Sequence, residues 1–456
     1  MATNYRQIPS VDKLLSDRRI KDLIESYSRE QVTTLIKHHL GGIRQIIRSG
    51  GSVPPIEAII NDLTLHAESL WSVWPKPLIN ATGVILHTNL GRAPLSKYAI
   101  ESVASAASGY SNLELNLSNG VRGSRQTHIE EMITQLTGSE ASLVVNNNAS
   151  AVLLGLSAIA AGKEVIVSRG ESVEIGGGFR IPDVLKQSGA TLNEIGTTNR
   201  TYIRDYESAI KPETGSLLKV HTSNFLVTGF THETTLDELV EVGTRYGIPL
   251  LYDIGSGCLL DTSEFDMTHE PTVQESVAAG VDLTFFSCDK LLGGPQAGVI
   301  LGKKELISRL ADHPLARAVR IDKLNLTALA STLIHYVKGE ALTQIPIWRM
   351  ISAPIEELKA RVFRWHQSLT ASSEIIQGYS TIGGGSLPGQ TMPTWLLAIS
   401  GNRNKYSAAE IAKRLRRSDY PVIARIESDL VLLDPRTVLP EEEVVFLETL
   451  RVATSE

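Results

Sequence analysis

The chain is poor in cysteine, in aromatic rings and in excess charge of either sign. Only Cys258 and Cys288 occur among 456 residues. That is too few for a disulfide framework or a CxxC pair, and no Cys/His spacing suggests zinc, so no metal is expected. Aromatics make up 5%, which leaves no visible platform for stacking unpaired bases. The formal charge is −6, from 44 basic and 50 acidic residues, so a global positive field for nucleic acid is absent. The amino-terminal run Met1–Arg6 lacks the apolar core of a signal peptide. The longest helix-like apolar run, Ala149–Ala161, is broken by Ser and Gly and is too short to span a bilayer. No membrane association is expected, and a reducing cytoplasm is the expected location. Nucleotide-binding motifs are missing as well. Gly255-Ser256-Gly257-Cys258-Leu259-Leu260 lacks the third glycine of GxGxxG, and no GxxxxGK[ST] occurs.

What is present is an ordinary globular composition, 42% hydrophobic and 21% charged, on a chain long enough for two or three domains. Residues 1–75 read as helices: Leu35, Ile36, Leu40, Ile43, Ile46 and Ile47 recur at helical spacing, and a further helix is expected over Ile56–Leu70. Residues 1–50 carry nine Lys/Arg against five Asp/Glu, a local excess of four positive charges. From residue 76 to about 330 short apolar runs alternate with helical patterns. Strands are expected at Ala141–Val145, Glu164–Ser168, Thr191–Ile195, Leu217–His221, Pro249–Asp253 and Asp282–Phe286, with helices at Ala149–Ala161 and Leu236–Tyr246. This alternation predicts an α/β domain with a mostly parallel, helix-covered sheet. Residues 331–456 read as a smaller α+β domain, with strands at Thr394–Ile399, Val422–Ile426 and Leu430–Leu433. A helix capped by Ser407 and Glu410 and a last helix over Glu441–Leu450 complete it.

Two strand ends carry the chemistry. The run Val281–Phe286 leads into Ser287-Cys288-Asp289-Lys290-Leu291-Leu292-Gly293-Gly294. A lysine at the mouth of a sheet, with a serine three residues before it, suits an aldehyde cofactor: the amine forms a Schiff base and the hydroxyl helps to hold a phosphate. Thirty-seven residues upstream, the apolar strand Ile248–Asp253 ends in an acid before a glycine-rich turn. An aspartate there pairs with the pyridinium nitrogen of pyridoxal 5′-phosphate (PLP) and keeps the ring electron-withdrawing. Ligands of open α/β sheets collect beyond the carboxyl ends of strands, where Asp253 and Lys290 lie. Asn146-Asn147-Asn148-Ala149-Ser150 sits between a strand and a helix, and Asn148, Ala149 and Ser150 are expected to cradle the cofactor phosphate at the helix N-terminus.

Longer motifs point to a family. The run Ile79–Ala93 (INATGVILHTNLGRA), the Asn146–Ser150 run and Ser168–Gly177 resemble bacterial selenocysteine synthases, the L-seryl-tRNA(Sec) selenium transferases. Gly196–Thr201, Lys219–Asn224 and Asp289–Gly298 do so too. The resemblance covers nearly the whole chain and is densest over 80–330. It implies a fold-type-I PLP-dependent transferase, aspartate aminotransferase-like, with an N-terminal helical domain at 1–75, a large PLP-binding domain at 76–330 and a small C-terminal domain at 331–456.

The resemblance also implies a reaction. Lys290 holds PLP, gives it up to the amino group of serine esterified to tRNA(Sec), and removes the Cα proton. The β-hydroxyl leaves, and selenophosphate delivers selenium to the resulting dehydroalanyl-tRNA. Asp289 is a candidate proton donor to the departing hydroxyl, and His221 is expected to stack on the cofactor ring. Arg92, Arg317 and Arg320 match family positions that line the selenophosphate pocket, with Arg125 and Arg122 as further cations. The i,i+3 spacing of Arg317 and Arg320 suggests one shared helix face. The N-terminal domain is expected to grip tRNA(Sec) within a homodecamer, a pentamer of dimers. Two alternatives stand beside this reading: a related PLP enzyme acting on a small free amino acid or amino sugar, and a non-catalytic tRNA-binding protein that retains the fold.

Overall fold

The computed structural model describes residues 5, 7–175, 178–401 and 406–455; Met1–Asn4 and Arg6 of the amino-terminal run, and Gly176 and Gly177 of the family-like motif, lie outside them. The chain divides into two compact units, Met1–Pro77 and Leu78–Glu456. The first contains helices Val11–Leu15, Arg18–Ser26, Arg29–Arg48 and Ile56–Trp71. Ser10, Asp17 and Ser28 cap the first three by accepting from backbone N–H groups. Leu14, Ile20, Ile36, Leu40, Ile59 and Leu63 form their buried core, as the helical periodicity predicts.

The second unit is built on a seven-stranded sheet. Its strands along the chain are β1 (Ala141–Val145), β2 (Glu164–Ser168), β3 (Thr191–Ile195), β4 (Thr214–Val220), β5 (Leu250–Gly255), β6 (Leu283–Ser287) and β7 (Gly298–Gly302). Their spatial order is β1-β7-β6-β5-β4-β2-β3. The pairs β6–β5, β5–β4, β4–β2 and β2–β3 are parallel, whereas β7 runs antiparallel to both of its neighbours. Every residue of β1, β4, β5, β6 and β7 is buried, the mark of a sheet covered on both faces. The helix Asn148–Ala160 covers one face with Val152, Leu154, Leu156 and Ile159.

Expected and observed strands coincide for β1, β2 and β3, and differ by one to three residues at an end for β4, β5 and β6. The strand β7 has no counterpart in the sequence reading, because its terminal glycines lower strand propensity. Pairing on both edges compensates. Gly298 is required there: a Cβ would run into the Asn147 carbonyl, so its absence lets β7 pass directly under the Asn146–Ser150 turn.

A five-stranded sheet forms the remainder, in the order Arg425–Glu427, Leu430–Leu433, Thr391–Ser400, Ser373–Gly383 and Val84–Leu86. The last strand corrects the expected boundaries. Residues 79–86, assigned from sequence order to the 76–330 domain, join this C-terminal sheet: Val84–Leu86 pairs with Thr381–Gly383, and Ile79–Asn80 pairs with Val422–Ile423. Burial of Ile79 and Ala81 among Leu397, Val431 and Leu433 drives the exchange. Asp434 locks it. Its buried carboxylate accepts from Ser380 Oγ (2.8 Å), Thr394 Oγ1 (3.0 Å) and the Arg436 backbone N–H (2.9 Å). Asp434→Ala leaves three buried donors unpaired, and an expected loss on the order of 3 kcal/mol follows, measurable by urea unfolding. A loss below about 1 kcal/mol would show that the network carries little of this sheet's stability.

Candidate active site

At the carboxyl ends of β5 and β6 lies a cavity of about 430 Å³, lined by Thr88, Gly91, Arg92, Asn147, Asn148 and Ala149 on one side. Asp253, Gly255, Ser287, Asp289, Lys290, Gln296 and Ala297 complete the wall. Its size suits a small cofactor with part of a substrate. The topology explains the convergence: β5 carries Asp253 up to its C-terminal edge, and β6 ends at Ser287, three residues before Lys290.

Lys290 is buried, at 5% exposure. Burial pushes its amine below the ordinary lysine range, against the upward pull of the Asp253 carboxylate; nearby Arg92 also lowers it. Asp253 is 2% exposed and is pushed up by burial, opposed by the hydrogen bond from Asn148 and by Lys290. Asn148 Nδ2 donates to Asp253 Oδ1 at 2.9 Å, while Asp253 Oδ2 is buried without a hydrogen-bond partner. One oxygen is thus held and the other awaits a donor. A second buried lysine, Lys219, is already committed: its amine donates to the Thr234 carbonyl (2.9 Å) and to Glu171 (3.3 Å). Both cysteines are free and buried, with thiols pushed up by burial, so neither competes as a nucleophile.

Across the cavity the helix Asn148–Ala160 presents its first turn. Asn147 caps it by accepting from the Ser150 N–H at 2.9 Å. The amides of Asn148 and Ala149 precede the first intrahelical bonds, leaving donors for an anion. An aldehyde-reactive amine, an unpartnered carboxylate oxygen and a helix N-terminus beside Ser287 together match the aldehyde, ring nitrogen and phosphate of PLP. The donor set therefore fits that group.

The other expected residues divide. His221 lies beside Asp253, its backbone N–H donating to the Asp253 carbonyl at 2.9 Å. Arg92 and Asp289 both line the cavity but are joined, Arg92 Nη1 donating to Asp289 Oδ2 at 2.8 Å, so they act as a pair. Ser150, His221, Arg125, Arg317 and Arg320 are not among its lining residues. Arg125 and Arg122 bind Glu114, and Arg320 approaches the same carboxylate at 3.6 Å. The shared helix face expected for Arg317 and Arg320 is absent. The helix Pro314–Ala318 ends early, and Arg320 instead forms a backbone bridge with Val145. Arg317 is exposed and has no ion-pair partner among the described residues.

Sequence reasoning did not single out Thr88, Gly91, Gln296 or Ala297, although each sits inside a family-like run. Two more neighbours carried no signal. Glu270, in His269-Glu270-Pro271, reads as a loop acid yet is 2% exposed. Gly385, at φ +86°, sits so close that a Cβ would lie 2.7 Å from Lys290 Nζ.

The strand order and the lysine–aspartate pair define the class: a fold-type-I, PLP-dependent transferase. The chain belongs to the L-seryl-tRNA selenium transferase family, whose model matches residues 78–439; a model described as selenocysteine synthase N terminal matches residues 5–44. It is 46% identical over 444 residues to the L-seryl-tRNA(Sec) selenium transferase of Carboxydothermus hydrogenoformans, covering 96% of this chain and 95% of that one. Identity to the enzyme of the same name from Geotalea daltonii is 48% over 448 residues, covering 96% of each. Among solved structures, D-glucosaminate-6-phosphate ammonia-lyase superposes with a TM-score of 0.59 at 21% identity, over 83% of this chain and 96% of that one. That likeness is one of fold.

Proposed function

We propose that this cavity converts L-seryl-tRNA(Sec) to L-selenocysteinyl-tRNA(Sec) with selenophosphate as the selenium donor. The observation that carries the reading is the approach of the Lys290 amine and the unpartnered Asp253 oxygen from two strand ends to one cavity, within a chain of this family. Bound PLP supplies the electron sink that lets a serine Cα–H bond break and its β-hydroxyl leave. Lys290 attaches the cofactor between turnovers and moves the proton at the serine Cα. Asp253 Oδ2 holds the proton on the ring nitrogen, and Asn148 orients that carboxylate. Asn148, Ala149, Ser150 and Ser287 would bind the phosphate, and His221, next to Asp253, would lie against the ring.

Arg92 receives the selenophosphate oxyanion with its guanidinium fork, and its ion pair with Asp289 sets the fork's direction. Asp289 in turn would pass to the departing hydroxyl a proton that it first takes up, the one that Lys290 removes from the serine Cα being at hand. Arg125, Arg317 and Arg320 extend the positive field for anions: Arg125 and Arg320, with Arg122, share the single Glu114 charge, which leaves a net positive cluster, and exposed Arg317 adds a further cation. The assay is selenium transfer with purified protein, selenophosphate and either seryl-tRNA(Sec) or seryl-tRNA(Ser). Transfer to tRNA(Sec) alone is expected. Turnover of a free amino acid or amino sugar without any transfer would replace this reading, and a colourless protein that binds tRNA would point to a non-catalytic role.

The helical unit is the proposed tRNA grip. Lys13, Arg18, Lys21, Arg29, Lys37, Arg44 and Arg48 are all exposed there, a local field suited to phosphate contacts despite the acidic whole. Removing residues 1–75 is expected to spare PLP binding and weaken tRNA(Sec) binding by 10-fold or more at physiological salt, read by filter binding; equal affinity would relocate the grip. We further propose a cytoplasmic homodecamer, a pentamer of dimers. Exposed Leu117, Val121, Leu226 and Phe230 supply the kind of apolar surface that subunit contacts cover.

A further inference from the structure

Behind His221 lies a buried acid with no role in the assignments above. Glu270 is 2% exposed, and its Oε1 has no hydrogen-bond partner; His221 Nε2, itself buried and unpartnered, lies 3.3 Å away. Two orphaned buried polar atoms 3.3 Å apart are each costly alone, and a hydrogen bond between them would satisfy both. The loop that presents the acid is fixed: the Glu270 N–H donates to Thr262 Oγ1 at 2.8 Å, and Thr262 Oγ1 donates to the Thr268 carbonyl at 2.7 Å. On the other side, His221 is fixed by its backbone bond to Asp253. The carboxylate is also near enough to raise the Lys290 amine electrostatically, which places it within the field of the site.

We propose that Glu270 is a positioning residue that accepts the His221 Nε2–H and so fixes the tautomer and plane of the imidazole against the cofactor ring. An imidazole free to turn about its Cβ–Cγ bond offers the ring no defined face. One tied at Nε2 to a rigid acceptor presents one, the logic by which a second group orients a working histidine elsewhere. The inference rests on the reading that His221 lies against PLP.

The test is a double-mutant cycle on the full-length holoenzyme, read by the PLP dissociation constant and by the visible circular dichroism of bound PLP, which reports the tilt of the ring. Glu270→Leu is expected to weaken PLP about 10-fold and to change the dichroism, whereas Glu270→Gln, which keeps an acceptor, stays within about 3-fold. In a His221→Phe background neither substitution is expected to have a further effect. An equal loss in both backgrounds, or no loss for Glu270→Leu, overturns the proposal. If Glu270→Leu does not fold, Glu270→Asp, which draws the carboxylate back by one methylene, is judged by the same criterion. A His221→Phe protein that binds PLP normally with unaltered dichroism would instead overturn the placement of His221 against the ring, a separate failure.

Discussion

Lys290→Ala is expected to give a colourless protein that loses PLP on gel filtration and whose selenium transfer falls about 10⁴-fold. That is the upper end of what one general base supplies, because the same amine also provides the covalent attachment. The assignment to Lys290 rather than to Lys219 rests on what each amine already does. Lys219 donates to Thr234 and Glu171 and is structural, so Lys219→Met should alter stability and leave the colour. Retained colour in Lys290→Ala would refute the assignment. Burial also predicts a pH dependence. Since desolvation lowers the Lys290 amine, the neutral form that attacks an aldehyde is populated at lower pH than in free lysine. PLP uptake by the cofactor-free protein should accelerate with rising pH and level off well below the range where free lysine titrates. A plateau coinciding with free lysine would show that the amine is not buried when it reacts.

Much of this cavity's lining was legible before any fold was known, because its candidate groups sit at strand ends that apolar runs mark out. Asp253 and Lys290 follow such runs directly, and Asn148 follows the equally clear β1. The physical rule that ligands gather at carboxyl ends does the rest. Legibility failed where partners are distant in sequence. Val84–Leu86 is three residues long, and nothing local says that its neighbour is Thr381–Gly383. Arg317 and Arg320 have helical spacing, yet backbone pairing of Arg320 with Val145 ends the helix first. Glu270 carries no local mark of burial, because burial is a property of the packed chain. Gly385 is similar: its place above Lys290 depends on a hairpin returning from the other sheet, and only then does the need for a missing Cβ become visible.

Asp253→Asn separates the electrostatic role of that residue from its structural one. The amide is isosteric, and its Oδ1 can still accept from Asn148 Nδ2, so the pocket floor is preserved. What disappears is the negative charge at the position of Oδ2, now an N–H donor facing the ring nitrogen. A pyridine nitrogen that accepts a hydrogen bond stays unprotonated, and the ring withdraws electrons less. The proposed pairing would work in both directions: a cation at the ring nitrogen would stabilise a carboxylate that burial alone pushes up, and that carboxylate would stabilise the cation. The variant is expected to keep its colour and its covalent PLP while kcat for selenium transfer falls about 10²–10³-fold, the usual effect of removing one preorganised electrostatic partner. KM for seryl-tRNA(Sec) should change little, because the proposed tRNA grip is in the helical unit. An unchanged kcat would show that the ring nitrogen works uncharged and that Asp253 only fills space. A loss of PLP itself would show that Asp253 anchors the cofactor more than it activates it.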